Sequence, residues 1–120
     1  MKEYTIIPLP ISKISIDKSM MTYRRNMGER FEMPCFAWYI KGADQTILVD
    51  TGIEADFANS MLSPEYPVRF IPVQSFEDAL ASQGLTIEGI DYVIQTHGAY
   101  DHIGNTKRCC NATIFMQEDE

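Results

Sequence analysis

The chain has two histidines, His97 and His102, within a stretch of six residues, and Asp101 directly precedes the second. Imidazole nitrogens and carboxylate oxygens are the ligands of a catalytic zinc ion, which keeps a further position open for water. Such an ion lowers the pKa of its water to about 7 and so supplies hydroxide at neutral pH. The alternative is structural, with one histidine capping a helix and the other exposed. Because both histidines and an acid coincide, the spacing favours a metal site.

The residues upstream of the motif predict how it is positioned. Tyr92 to Thr96 is an apolar, β-prone run that indicates a buried strand leading into the first histidine. Phe36 to Ile40 and Thr46 to Val49 flank a short glycine-containing turn and predict a hairpin, whose second strand ends in Asp50-Thr51-Gly52. Since the second run is continuously apolar at 47–49, we expect it to be covered on both faces.

The other segments alternate strands with helices, which indicates an α/β layered domain. Further strands are predicted at 4–9, 11–16 and 112–116, with Pro8 and Pro10 closing the first. Helices are predicted at 54–62, at 75–83 with Ser75 as the N-cap, and at 105–110. The polar segment 17–32 predicts a long loop, and 118–120 the first turn of a helix.

Together these features resemble the metallo-β-lactamase superfamily. Its signature, Thr-His-x-His-x-Asp-His after a strand, is similar to Thr96-His97-Gly98-Ala99-Tyr100-Asp101-His102, and its upstream Asp-Thr-Gly matches residues 50–52. Within the superfamily the chain looks most like the acyl-homoserine lactonase group, through Met33-Pro34-Cys35-Phe36 and the segment 112–118. The resemblance implies half of an αββα sandwich, a mixed β-sheet flanked by helices, with residues 1–120 as one domain.

The resemblance assigns roles only where the residues match. His97 matches the first ligand of metal site one, while Asp101 and His102 match two ligands of site two. The same aspartate also takes a proton during turnover in the family. Asp50 matches an acid that braces the ligand loop, and capping of the turn at Gly52 is the equally weighted alternative. Zinc is the expected ion, one or two per molecule, although iron and manganese suit the same ligands.

Two departures from the family pattern weaken the site. Ala99 stands where the family has its second histidine, and a methyl group cannot donate a lone pair to a metal, so site one loses a ligand. Gly98 beside it is expected to make the loop small and mobile. The second departure is length, because no histidine follows His102 in the 120 residues. The remaining ligands are therefore expected on a complementary C-terminal half, on a partner subunit or on a missing part of the same gene.

The implied function is metal-dependent hydrolysis that opens a lactone or related cyclic ester, a small molecule, with Asp101 as the proton carrier. The isolated chain is expected to be inactive until a second half, a partner subunit or a second copy covers its exposed sheet face. Two alternatives remain open. The first is that the chain is a non-catalytic structural or regulatory subunit. The second is that it is an inactivated fragment of a larger enzyme.

Composition excludes several partners. A net charge of −7 and a pI of about 4.7 disfavour nucleic acid and anionic lipid. No run approaches the ~20 apolar residues of a membrane span, and the start lacks the apolar core of a signal peptide. Three cysteines, an odd number, indicate free thiols and a cytoplasmic location.

Two other groups allow both a functional and a structural interpretation. Cys109 and Cys110 could supply thiolate ligands, but structural thiols are the favoured interpretation. A set of methionines either lines an apolar ligand pocket or fills packing gaps. Its members are Met20, Met21, Met27 and Met33.

Overall fold

The computed structural model describes residues 1–119, which form a six-stranded sheet with helices. The strands are β1 Thr5–Asp17, β2 Arg30–Lys41, β3 Ile47–Thr51, β4 Arg69–Pro72, β5 Tyr92–Ile94 and β6 Thr113–Phe115. The helices are α1 Ala55–Ser60, α2 Phe76–Ala81 and α3 Tyr100–Ile103, with 3-10 turns at Lys18–Met20 and Thr106–Arg108.

The sheet has the order β4-β1-β2-β3-β5-β6. Strands β4, β1, β2 and β3 pair antiparallel, whereas β3–β5 and β5–β6 are parallel. The prediction of a layered fold with a mixed sheet is therefore confirmed. Because β3 and β5 are parallel neighbours, their carboxyl ends lie at the same edge of the sheet. Asp50 near the end of β3 and the motif that follows β5 consequently meet there.

The two predicted amino-terminal strands are one long strand, and the prediction that Pro8 and Pro10 close the first was wrong. Both prolines lie within β1 and are paired with β2. Because the two prolines are two residues apart, the amide hydrogens that they lack would both point to the same edge of the strand. That side has no strand neighbour near the prolines, because β4 pairs only with 12–15 of β1. The only interruption is a bulge between Pro10 and Ser12.

The connection between β1 and β2 is shorter than the predicted loop at 17–32. Pairing continues to Asp17 and Arg30, so the irregular segment spans 18–29. Asp17 begins it by accepting hydrogen bonds from the Ser19 amide at 2.9 Å and the Gly28 amide at 2.7 Å. The methionines of this segment are exposed, whereas Met33 packs against the core. The exposed ones are Met20, Met21 and Met27. They form no closed pocket among the described residues.

The hydrophobic core lies on the helix-covered face of the sheet. Helix α2 buries Phe76, Ala79 and Leu80 completely against strand residues that include Leu48 and Val93. Its start agrees with the prediction, since the Ser75 hydroxyl accepts the Asp78 amide at 3.0 Å. Helix α1 covers a second cluster around β1 and β4. Together the two clusters anchor the sheet beneath the motif.

The opposite face of the sheet is apolar but not covered by the described residues. Strand pairing aligns two rows of side chains across it. One row is Ile6, Ile40, Ile47, Tyr92 and Thr113, and the other is Pro8, Trp38, Val49, Ile94 and Phe115. Ile6 is 64% and Ile94 43% exposed, while Leu48 and Val93 on the other face are fully buried. The prediction that 47–49 is covered on both faces was therefore wrong for this chain. We call the two rows the open face.

The remaining elements agree with the sequence to different degrees. The hairpin of β2 and β3 is confirmed, and α1 and β6 lie inside their predicted ranges. The predicted helix at 105–110 is only a 3-10 turn, and β4 and α3 were not predicted. Residues 118–119 form a turn, and Glu120, the last residue of the predicted terminal helix, lies outside the described residues. Within 1–119, no helix has the length and apolar character needed to cross a membrane.

Candidate metal centre

The structure brings the two histidines and Asp101 together at the carboxyl ends of β3 and β5. The rings of His97 and His102 are 4.1 Å apart between centroids and inclined by 56°. Asp101 Oδ2 lies 3.5 Å from His102 Nε2, and both side chains are partly exposed. Helix α3 carries the aspartate and the second histidine, while the first lies in the loop before it. The predicted ligands therefore share one partly exposed site.

Asp50 holds this arrangement from beneath. It is 2% exposed, and its carboxylate accepts four hydrogen bonds. Oδ1 accepts from the Thr96 amide at 2.8 Å and from Gln95 Nε2 at 3.0 Å. Oδ2 contacts the Thr96 hydroxyl and His102 Nδ1, both at 2.7 Å. None of these contacts involves Gly52, so the geometry favours the interpretation that Asp50 braces the ligand loop.

Electrostatics keep this carboxylate ionised. Burial alone would raise the pKa of Asp50, but hydrogen bonds from the Thr96 amide, His102 and the Thr96 hydroxyl outweigh burial and hold the pKa below its ordinary value. An ionised carboxylate only accepts hydrogen bonds. His102 must therefore donate from Nδ1, and in the neutral ring the lone pair is then on Nε2, on the side of Asp101.

Asp50 also has an unusual backbone conformation. Its φ is +55°, in the left-handed region that residues other than glycine rarely adopt. Aspartate tolerates this region better than most residues. The conformation persists because the carboxylate accepts four hydrogen bonds and because the neighbouring residues Val49 and Thr51 are paired with β2. Such strain is characteristic of functional sites, where the surrounding structure stabilises it.

Helix α3 is held against β3 by contacts that the sequence analysis missed. Gly52 and Ile103 form a parallel bridge. A Cβ on Gly104 would lie 2.6 Å from the Ile53 side chain and 2.7 Å from the Gly52 carbonyl oxygen, so only glycine fits there. Asn105 adds two buried hydrogen bonds to Thr51, at 3.1 and 3.0 Å. The Gly104-Asn105 pair next to the motif was a signal that could have indicated this close packing.

The buried polar pair of Gln95 and Asp50 was also not predicted from the sequence. Gln95 is 5% exposed and donates to Asp50, while its Oε1 accepts a hydrogen bond from the Thr106 hydroxyl. A glutamine at the end of an apolar strand does not reveal a buried partner by its spacing. Its role follows only from the three-dimensional arrangement.

Ala99 lies at the N-cap position of α3 and provides no metal donor there. Among residues 1–119, no group of three histidine, cysteine, aspartate or glutamate side chains is arranged to hold a metal ion. The donor types nevertheless fit zinc, because two imidazoles and a carboxylate are its ordinary ligands. The described residues thus place donor types that suit zinc close together, but in too small a number to hold the ion by themselves.

The two neighbouring cysteines do not join the site. Cys109 is 4% exposed and belongs to the core cluster around α2, and burial raises the pKa of its thiol to about 11. A metal ligand must be the thiolate, which this environment disfavours. Cys110 is exposed, and its Sγ faces the Lys107 carbonyl. The structural interpretation is the one that the geometry supports.

Comparison with known proteins identifies a family and related folds. The family model of the metallo-beta-lactamase superfamily matches residues 30–117. An N-acyl homoserine lactonase from a Bacillus species is 24% identical over an alignment 119 positions long, which covers 93% of this chain and 48% of the relative. The chain therefore spans about half the length of the curated relative that it matches.

Two solved structures show the same fold. An N-acyl homoserine lactone hydrolase, with the product N-hexanoyl-L-homoserine at its catalytic metal centre, has a TM-score of 0.75 at 21% identity. The match covers 98% of this chain and 49% of that one. A dizinc quorum-quenching lactonase in complex with the same type of product has a TM-score of 0.66 at 17% identity, covering 98% and 43%. The six-stranded sheet and its helices thus match about half of such a fold.

Proposed function

The chain belongs to the metallo-β-lactamase superfamily, and from this membership we propose that it supplies half of the metal centre of a hydrolase that opens lactones or related cyclic esters. The observation that carries the proposal is the convergence of His97, Asp101 and His102 above the buried Asp50. The similarity to lactonases supports the choice of substrate class.

We assign the ligands by the match of residues to the family signature. His97 is a ligand of site one, and Asp101 and His102 are ligands of site two. Zinc is the proposed ion because imidazole and carboxylate suit it, and because one structural neighbour is a dizinc lactonase. Iron and manganese accept the same ligands. Since Ala99 removes a donor, site one binds its ion more weakly than site two.

When bound, the metal supplies hydroxide at neutral pH and polarises the ester carbonyl. The residues of this chain position that chemistry. Asp50 fixes the ring of His102, and Asp101, 24% exposed at its side chain, is accessible to accept and return the proton of the reaction. Free thiols at all three cysteines agree with a reducing, cytoplasmic location.

The complementary half is proposed to pack on the open face. Aligned apolar side chains on an uncovered sheet are typical of a face that packs against a second sheet about 10 Å away. A depression of about 300 Å³ on this face is lined by Ile6, Trp38, Ile40, Val49 and Thr96. Since the chain spans about half of its relatives, a second sheet that carries the remaining ligands is the favoured occupant. A second copy of this chain is the competing outcome.

A non-catalytic role is the second candidate, and Ala99 is the observation that favours it. A chain that has lost a ligand of site one can retain the fold and serve as a structural or regulatory subunit. An inactivated fragment of a larger enzyme would share this feature. The two candidates differ in whether zinc and lactone opening appear once the open face is covered.

The test is complementation with the second half of the Bacillus lactonase, coexpressed with this chain. We expect a complex that contains zinc by elemental analysis and releases acid from an N-acyl homoserine lactone. His102→Ala should abolish both signals, whereas Asp44→Ala, an 85% exposed acid remote from the motif, should leave them intact. A complex without zinc, or with activity that His102→Ala does not change, argues for the non-catalytic candidate. Failure to form any complex contradicts the proposed partner.

A further inference from the structure

We propose that Thr96 is a positioning residue whose hydroxyl connects Asp50 to His97, so that one carboxylate sets the tautomer of both histidine rings. The connection runs from Asp50 Oδ2 through Thr96 Oγ1 to His97 Nδ1, and we call it the Thr96 relay. Its consequence for metal binding rests on the proposed function, whereas the tautomer itself is a property of the metal-free chain.

The direction of each hydrogen bond in the relay follows from counting protons. Thr96 Oγ1 lies 2.7 Å from Asp50 Oδ2 and 3.0 Å from His97 Nδ1. A carboxylate only accepts, and a hydroxyl has a single proton to donate. The hydroxyl donates that proton to Asp50 Oδ2, so it can only accept a hydrogen bond from His97. His97 Nδ1 must therefore carry the ring proton, which leaves the lone pair on Nε2.

The second histidine reaches the same state without an intermediate. His102 Nδ1 lies 2.7 Å from Asp50 Oδ2 and donates to it directly. Both rings are thus held with their protons toward Asp50 and their Nε2 lone pairs on the nitrogens remote from it. With ring centroids 4.1 Å apart, the two lone pairs belong to one small site.

The carboxylate at the centre of the relay cannot turn away. Its other oxygen accepts from the Thr96 amide at 2.8 Å and from Gln95 Nε2 at 3.0 Å. Gln95 in turn accepts from the Thr106 hydroxyl through Oε1, which fixes which end of the amide points at Asp50. All the acceptor positions of the carboxylate are then occupied. Thr96 contributes through both its amide and its hydroxyl, but only the hydroxyl reaches His97.

The relay opposes the intrinsic preference of the ring. A neutral imidazole in water favours the proton on Nε2, and a protonated Nε2 cannot donate a lone pair to a metal. Removal of the hydroxyl should therefore release His97 to the tautomer that does not bind, without a direct effect on His102. Outer contacts of this kind typically change metal affinity by about 10- to 100-fold.

The experiment compares the full chain with Thr96→Val, which removes the hydroxyl, and Thr96→Ser, which restores it. Thr113→Val is the matched control, because Thr113 is also exposed on the open face and its hydroxyl makes no hydrogen bond to the described residues. Long-range proton–nitrogen NMR of the metal-free, ¹⁵N-histidine-labelled chain reads both ring tautomers at a pH where the rings are neutral. The two histidines are assigned by a His102→Gln variant.

We expect Nδ1–H tautomers at both rings in the unsubstituted chain, in Thr96→Ser and in Thr113→Val. In Thr96→Val, His97 should change to the Nε2–H tautomer while His102 stays unchanged, and zinc affinity should fall about tenfold. An Nε2–H tautomer of His97 in the unsubstituted chain overturns the proposal even if the valine variant fails to fold. An unchanged His97 tautomer in a folded Thr96→Val variant also overturns it. If the tautomers are as expected but the complementation complex binds no zinc, the proposed function is contradicted and the Thr96 relay is not.

Discussion

At the residue scale, the site depends on Asp50. A buried carboxylate with a left-handed backbone gathers hydrogen bonds from the strand end, the ligand loop and His102. The resemblance of Asp50-Thr51-Gly52 to the family gave bracing of the ligand loop as one of two equally weighted roles, the other being to cap the turn at Gly52. The sequence could not predict Gln95 or the Thr96 relay, because both depend on which atoms face each other across parallel strands.

Ala99→His tests whether the missing donor accounts for a weak site one. The substitution restores the family signature at the N-cap of α3. If the chain is half of a hydrolase, zinc affinity in the complementation complex should rise by more than about tenfold, since a direct ligand contributes more than an outer contact. Competition with a chelating dye measures the change. Unaltered zinc content and unaltered lactone opening would instead support a non-catalytic subunit.

The thiols predict a dependence of stability on pH. Burial raises the pKa of Cys109 to about 11 from an ordinary value of 9.0, and raises the pKa of Cys35 to about 11 as well. The folded chain therefore retains these protons more strongly than the unfolded chain. The stabilisation is fully present below pH 9 and is lost as the pH rises toward 11, because the unfolded state ionises first.

Denaturant unfolding at several pH values measures this effect. The denaturant concentration at the midpoint of unfolding should decrease as the pH rises from 9 to 11. Cys109→Ala should make this decrease smaller. Below pH 9, a disulfide reagent should modify the exposed Cys110 quickly and the two buried thiols only upon unfolding. Rapid labelling of all three thiols in the folded chain would contradict the burial on which the prediction depends.

At the scale of elements, the close contact of α3 with β3 positions Asp101 and His102. Gly104→Ala should disrupt it, since the new Cβ would lie 2.6 Å from Ile53. We expect a loss of about 1–3 kcal/mol in the free energy of unfolding, as for overpacked cores, and weaker zinc binding. Gly89→Ala is the control, because its new Cβ meets only Thr86, in a surface turn. Equal effects of the two substitutions on zinc affinity would show that α3 is not held in this way.

The elements that the sequence missed are those stabilised by distant contacts. Strand β4 has four residues and is defined by its pairing with β1 more than 50 positions earlier. Helix α3 also has four residues, without a side-chain cap, and is fixed by the Gly52–Ile103 bridge and the close approach at Gly104. In contrast, α2 carries its own capping signal at Ser75, so a local pattern was sufficient to find it.

For the whole molecule, the proposed contact with a complementary half depends on the open face. A charge placed there should be tolerated by the chain alone but not in a sheet-on-sheet contact, where burying an unpaired charge is costly. We expect Ile94→Lys to weaken the complementation complex by more than about tenfold. Met61→Lys, directly after α1, is the matched control, with 52% exposure against 43% for Ile94. Analytical ultracentrifugation measures both.

The same measurement separates the possible occupants of this face. Complex formation with the second half that is sensitive only to Ile94→Lys supports the proposed sandwich. Self-association of the chain with the same sensitivity identifies a second copy as the occupant. Equal behaviour of the two lysine variants would show that the open face is not an interface.

The most direct test of the proposed metal centre is a zinc titration, by calorimetry, of the 120-residue chain in complex with the second half of the Bacillus lactonase. We expect saturable binding that His102→Ala weakens by more than about tenfold, with a smaller loss for His97→Ala, because site one already lacks a donor at Ala99. Asp44→Ala should bind zinc like the unsubstituted chain. Absence of saturable binding, or binding that is the same after His102→Ala, would contradict the claim that this motif holds a metal.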